Sequence, residues 1–314
     1  MKIKLGKLRM KGSSLILEKA KPAYQPVVRK KTNKKDFTRF SETNGIYTAI
    51  PERRIPGDEV TLMCAGDILC EEKLYKAAQY GEDFFFHSIF KYVNEQLRRA
   101  DLSIANLETM VDPSAPYTGE QYKINGKYHN NAPVEFLDAL KYAGFDMFAM
   151  SNNHNLDCGV SGIAETLRQV DNYRFIHTGL FTPGDKHYAV IEIKGIKIGV
   201  LAYSNWFNRN LDRLTAEGRK HLINEYEPKK VAADIAAARK DGAEFILVYM
   251  HWGIQSEYCH TPASQQIELA QEIAELGADY IVGSHPHCLQ PVEEYNGGII
   301  LYSMGNFSFG GNTD

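Results

Sequence analysis

The chain has 314 residues, 44% of them hydrophobic and 24% charged, with 25 Gly and 12 Pro, and its longest apolar runs fall well short of the roughly 18 residues that span a bilayer. Lys and Arg number 36 against 39 Asp and Glu, a formal net charge of −3, which argues against a generally basic nucleic-acid binder and leaves enzymes and binding modules open. Residues 1–40 nevertheless hold 13 Lys/Arg and 2 Asp/Glu, a net of +11, which leaves −14 on residues 41–314. A basic arm precedes an acidic body.

The arm, residues 1–57, is Lys-rich and punctuated by Pro22, Pro26, Pro51 and Pro56, a composition that favours a flexible or loosely docked segment. Within it, residues 14–18 alternate in a way that suits an edge strand. From residue 58 to residue 314 short β-branched runs alternate with stretches of helical period, the pattern of an α/β domain. In chain order the spacing predicts strands over 60–65 and 102–105, with a helix over 86–99 between them. A helix over 133–142, a strand over 146–150 and a helix over 160–172 follow. Strands over 175–178, 188–193 and 197–203 come next, then a helix over 228–240, a strand over 244–250, a helix over 262–276 and strands over 280–282 and 299–303. Gly144, Gly242 and Gly277 each stand between a helix and a strand as C-caps, and Gly195 reads as a hairpin turn. Crossovers together with a hairpin point to mixed sheets. Residues 112–131, rich in Pro, Gly, Tyr and Asn without clear periodicity, form a candidate active-site loop.

Five Cys, at 64, 70, 158, 259 and 288, are scattered and lack paired C-x-x-C spacing, so they read as small buried hydrophobes of a reducing compartment. Leu15, Ile16 and Leu17 are too short a stretch for a secretory h-region. A soluble, cytoplasmic protein is the resulting expectation.

The residues that follow the strands carry the functional signal. Asp67, Asn106 with Glu108, Asn153 with His154, His251, His285 with His287, and Asn306 each stand at or just beyond the end of a predicted strand. Strand carboxyl ends line the ligand crevice of an open α/β sheet, so these six segments can place their polar groups around one site. Each alone is a weak sign, because Asp67 could cap a turn and Asn153 or Asn306 could hold one. Four of the ten His fall at such positions, and two imidazoles separated by one residue point to the same side of extended chain. Imidazole with carboxylate and amide oxygen is ligand chemistry for Mn, Zn or Fe, unlike an all-oxygen Ca or Mg cage. About six such ligands, one a carboxylate that can bridge, are enough for one or two ions per chain, and such ions would offset the repulsion between an acidic body and an anionic substrate.

These segments, Ala65-Gly66-Asp67-Ile68, Asn106-Leu107-Glu108, Ser151-Asn152-Asn153-His154 with Asp157, His251-Trp252-Gly253, Gly283-Ser284-His285-Pro286-His287 and Tyr302-Ser303-Met304-Gly305-Asn306-Phe307, resemble the CapA-type capsule and poly-γ-glutamate biosynthesis proteins of the calcineurin-like metallophosphatase superfamily, over roughly residues 60 to 309. The resemblance implies a four-layer αββα sandwich of two mixed sheets flanked by helices, with a dinuclear site between strand-end loops. It implies Asp67, Glu108, Asn153, His251, His285 and His287 as metal ligands, Glu108 in the bridging position. It further implies His154 and Asp157 as the catalytic pair, His154 protonating the leaving group, with Asn106, Asp157 and Asn306 orienting ligands through hydrogen bonds. Two departures stand out. Leu69 occupies the position of a His found in many active phosphoesterases, and Glu108 lies in Asn-Leu-Glu where an Asp in Gly-Asp-x-x-Asp is usual. Relatives also continue beyond the position of Phe307, so the second sheet is expected to lack its last strands or the sequence to be a fragment.

The expected function is a metal-dependent hydrolase of the phosphoesterase type, linked to capsule or poly-γ-glutamate biosynthesis and acting on an anionic polymer or a phosphoester. The alternative, motivated by Leu69, is a non-catalytic accessory of an envelope polymer synthase that binds polymer or polyglutamate synthase components through the metal face, in an envelope-associated or extracellular setting. Sequence-specific nucleic acid is not an expected partner, because only Tyr24, Phe37 and Phe40 offer stacking rings near the basic run. The arm also raises docking to anionic lipid or polymer, against the plainer reading of a solvated tail.

Overall fold

Strands that end in turns and helices that carry one apolar face can hide that surface only by layering, and the chain solves this with two sheets back to back. The computed structural model describes residues 8–11, 14–17, 38–50, 59–119, 122–255 and 259–310. Two units are present, Met1–Asp36 and Phe37–Asp314. In the first, Leu8–Lys11 pairs antiparallel with Ser14–Leu17, so the alternating stretch pairs locally; the rest of that unit lies outside the described residues.

Among the described residues, the second unit holds thirteen strands of two large sheets. They are β1 (Phe40–Thr43), β2 (Ile46–Ala49), β3 (Leu62–Ile68), β4 (Leu102–Leu107), β5 (Met147–Ala149), β6 (Ile176–Thr178), β7 (Ala189–Ile193), β8 (Ile196–Ser204), β9 (Phe245–His251), β10 (Tyr280–Ser284), β11 (Val292–Tyr295), β12 (Gly298–Leu301) and β13 (Asn306–Ser308). The helices are α1 (Glu72–Ala78), α2 (Asn94–Arg99), α3 (Glu135–Ala143), α4 (Gly159–Asn172), α5 (Ala216–Leu222), α6 (Pro228–Lys240) and α7 (Ser264–Glu275). The five-stranded sheet runs β6-β5-β4-β3-β13 with every pairing parallel. The eight-stranded sheet runs β11-β12-β10-β9-β8-β7-β2-β1 and is mixed. Its β7–β8 hairpin closes through Lys194 and Gly195, both at positive φ, the two-residue turn whose twist matches that of the strands.

Side-chain alternation along the strands produces four layers. Leu102, Ile104, Met147, Ala149 and Ile176 of the smaller sheet face Ala189, Ile191, Ile198, Val200, Leu247, Tyr249 and Val282 of the larger one in a central core. The opposite face of the smaller sheet packs on α2, α3 and α4 through residues such as Leu97, Phe136, Leu140, Ile163 and Leu167. Val231, Ile235, Ala270 and Ile273 of α6 and α7 cover the outer face of the larger sheet. No helix among the described residues is long and apolar enough to cross a membrane, and all five Cys are free.

The second unit takes in β1 and β2, which extend the eight-stranded sheet through parallel pairing of β2 with β7. Two expectations are corrected. The expected helix over 86–99 breaks into a 3-10 turn, His87–Phe90, and α2, with Phe86 and Phe90 both packed on Phe136; aromatic packing here outweighs helical period. The expected strand over 299–303 ends at Leu301, after which the chain crosses to the smaller sheet as β13.

Candidate metal centre

A β-bulge sets the first carboxylate. Cys64 of β3 pairs with Ile104 of β4, but Asp67 pairs with Asn106, so three residues on one strand span two on the other. The extra residue turns Asp67 onto the face that Asn106 shares with Leu102 and Ile104, toward the second sheet. Gly66 makes this possible, since a Cβ there would lie 1.9 Å from the Gly305 carbonyl oxygen, which accepts the Asp67 N–H at 2.9 Å. Across the gap, His251 continues the inward row of Leu247 and Tyr249 on β9, paired with Ser204 of β8 and Ser284 of β10. Inward residues at the carboxyl ends of both sheets thus converge.

Two groups of ligand atoms result. In one, Glu108, His251 and His285 offer atoms all within 4.8 Å of one another, and in the other Asp67, Glu108 and His287 do the same. Glu108 is common to both. Asn153 Oδ1 lies 3.0 Å from His251 Nε2, which brings the sixth expected ligand to the first group. Asn106 donates to Asp67 Oδ1 at 2.8 Å and to Glu108 Oε2 at 3.1 Å, and Asn306 Oδ1 lies 2.8 Å from His287 Nδ1. All five carboxylate and imidazole residues are buried.

The donors fit a divalent transition metal. His285 Nδ1 is buried and has no hydrogen-bond partner among the described residues, a costly state for a polar atom unless another partner takes it. Burial, then the neighbouring charges of His285, His287 and His154, push the His251 pKa well down. Burial and His287 bring His285 to about 3. Burial acts against the Asp67 carboxylate, but the hydrogen bond and charge of His287, the Asn106 amide and the His285 N–H hold its pKa below the usual range. Neutral imidazoles beside an ionised carboxylate are the protonation states that coordinate. His285 and His287 also hold φ of +93° and +61°, strain of about 1–3 kcal/mol each, and Asp67 Oδ2 accepts the His285 N–H at 3.1 Å. Leu69 is fully buried and adds no donor.

The loop after β5 brings His154. Its Nδ1 lies 2.7 Å from Asp157 Oδ2, which also accepts the Asn130 N–H at 2.8 Å. Thus Asn130, from the stretch read as an active-site loop, steadies Asp157, and Tyr128 sets its ring edge-on to His154. The structure therefore gathers Asp67, Asn106, Glu108, Asn153, His154, Asp157, His251, His285, His287 and Asn306 at one place. Several contributors lie within or beyond the matching segments without an expected role. Asn152 donates to Asn106 Oδ1 at 3.2 Å and accepts the His154 N–H at 3.1 Å. Ser284 Oγ lies 3.0 Å from His251 Nδ1. Asn208 Oδ1 accepts from Asn153 Nδ2 at 3.2 Å and Asn210 donates to Asp157 at 3.3 Å, with no sequence signal for either.

Residues 61–311 match the family model described as bacterial capsule synthesis protein PGA_cap. The chain is 30% identical over 256 residues to the PGA biosynthesis protein CapA of Bacillus subtilis (strain 168), covering 80% of this chain and 64% of that protein. It is 27% identical over 264 residues to the capsule biosynthesis protein CapA of Bacillus anthracis, covering 82% and 62%; the chain thus spans less than two thirds of either relative. Among solved structures, the calcineurin-like phosphoesterase YfkN from Bacillus subtilis aligns with a TM-score of 0.45 at 18% identity, covering 76% of this chain and 75% of that one. The chain belongs to the bacterial capsule synthesis protein PGA_cap family.

Proposed function

We propose that this chain is a metal-dependent hydrolase of the phosphoesterase type that acts in capsule or poly-γ-glutamate biosynthesis. The observation that carries this reading is Glu108 shared between two His/carboxylate groups. Asp67, Glu108, Asn153, His251, His285 and His287 would hold one or two Mn, Zn or Fe ions. Such ions, when bound, supply Lewis-acid stabilisation of phosphoryl charge and activation of water. Asn106 fixes both carboxylates through its amide hydrogens, which keeps their free lone pairs aimed inward. Asp157 engages His154 Nδ1, so Nε2 is the atom that would deliver a proton to the leaving oxygen.

The test is hydrolysis of a phosphomonoester and a phosphodiester by protein loaded with Mn, Zn or Fe, beside His154→Ala. The expected loss on substitution is about 10²–10⁴-fold, the range for a general acid. Wild-type protein that carries stoichiometric metal and turns over neither substrate class contradicts the reading. A second reading rests on buried Leu69, which leaves the centre one imidazole short of the usual pattern: an accessory of an envelope polymer synthase that binds polymer or synthase through the metal face. Capture of synthase components by wild-type protein that turns over no phosphoester, weakened in His251→Ala and His285→Ala, supports it, whereas loss of polymer in those variants with capture retained favours chemistry.

A further inference from the structure

Residues 205–210, which leave the carboxyl end of β8, are fastened to the centre without belonging to its ligand set. Trp206 Nε1 donates to Asn208 Oδ1 at 3.2 Å, and the same oxygen accepts from Asn153 Nδ2 at 3.2 Å. Asn153 in turn lies 3.0 Å from His251 Nε2 through its Oδ1. The indole is therefore one shared acceptor away from a residue that touches the metal-ligand shell. Further along, Asn210 donates to Asp157 Oδ1 at 3.3 Å, and Arg213 Nη1 donates to the carbonyls of Leu156 and Asp157 at 2.7 and 2.9 Å. Between these anchors Asn208 and Arg209 both hold left-handed backbone, φ +49° and +59°, a conformation that non-glycine residues rarely adopt in succession.

What this fastening presents to solvent is chemically specific. Trp206 is 43% exposed while Phe207 and Asn210 beside it are buried. Arg209 is exposed and makes no hydrogen bond or ion pair with the described residues. A single exposed Trp is unremarkable on a protein surface. An indole tied by hydrogen bonds to a buried metal-binding cluster, three residues from an arginine with all its donors available, is a different arrangement. A guanidinium matches carboxylate or phosphate in a two-point fork, and the indole offers a flat apolar face for the carbon chain that carries such a group.

We propose that Trp206 and Arg209 form an outer subsite of the metal centre that holds a second anionic group of the substrate, a carboxylate or phosphate, beyond the reacting bond. The proposal rests on the hydrolase reading for the bond that reacts, but not for binding itself. Trp206 supplies its own probe: the chain has two Trp and Trp252 is fully buried.

The experiment titrates metal-loaded full-length protein with a glutamate oligomer, with inorganic tripolyphosphate and with a neutral amidated oligomer, following intrinsic fluorescence. A saturable change with one or both anions, absent in Trp206→Phe and absent with the neutral oligomer, is expected. Arg209→Ala should weaken that anion at least tenfold with unchanged metal content, and Arg209→Lys should recover part of the loss. Whether the oligomer or the tripolyphosphate responds tells carboxylate from phosphate. Arg209→Ala binding both anions as the wild type does, or no fluorescence response to either anion, overturns the subsite. Binding that depends on Arg209 without any phosphoester turnover upholds the subsite and removes the hydrolase reading; turnover of oligomeric anions independent of Arg209 does the reverse.

Discussion

The two ends of the five-stranded sheet handle buried carboxylates in opposite ways. At the amino end Asp146, just before β5, meets the Arg39 guanidinium through Nη2 and, at 2.8 Å, through Nε, and also accepts the Ser103 N–H at 2.9 Å. The remaining Arg39 donors reach the carbonyls of Arg98, Ala100 and Gly144. Charge and hydrogen-bonding capacity close on themselves there, and the pair ties the segment before β1 to β4, β5 and the C-terminus of α3. At the carboxyl end Asp67 and Glu108 gather imidazoles and an amide instead of a guanidinium. Burial drives His251 and His285 toward neutrality, and in the proposed metal centre a bound cation would supply the positive charge that Arg39 supplies at the other end.

The largest expected effect breaks the self-contained end. Arg39→Ala strands the Asp146 carboxylate in a buried position and should cost about 3–5 kcal/mol, read by urea unfolding, while metal bound per folded chain stays at the wild-type value. Next, a divalent transition metal at 100 to 1,000 times its Kd should add about 2.7–4.1 kcal/mol to the wild type, with chelation reversing the gain. The same increment in Arg39→Ala would show that the two ends act independently; a smaller one would couple them. Gly66→Ala attacks the bulge at the carboxyl end alone. Its Cβ would meet the Gly305 oxygen at 1.9 Å, so about 1–3 kcal/mol of overpacking and a metal affinity at least tenfold weaker are expected in calorimetric titration. The smallest effect belongs to Asp157→Asn, which should lower turnover of a phosphoester by about 10–100-fold with metal content unchanged, because Asp157 touches His154 and not the ligand groups.

Much of the sheet was legible because β-branched runs bounded by turns need no tertiary information. All nine strands expected from the sequence are present, and the ten candidate site residues converge because strand carboxyl ends bring their loops to one crevice. What escaped depends on distant partners. The bulge that turns Asp67 inward exists only relative to β4, and Gly66 looks like an ordinary turn glycine until the Gly305 carbonyl is placed against it. β1 and β2 are four residues each and were hidden by Lys- and Pro-rich flanks, although parallel pairing with β7 decides their fate. Asn208, Asn210 and Arg213 carry no periodic signature, since their part is set by where the loop lands.

The central claim, that the carboxyl end of this sheet is completed by a cation, is tested most directly by elemental analysis of purified, metal-equilibrated protein, wild type beside His251→Ala. One or two Mn, Zn or Fe ions per wild-type chain, with at least one lost in the variant, is the predicted result. Wild-type protein without stoichiometric metal, or a variant that keeps the full wild-type content, would contradict it.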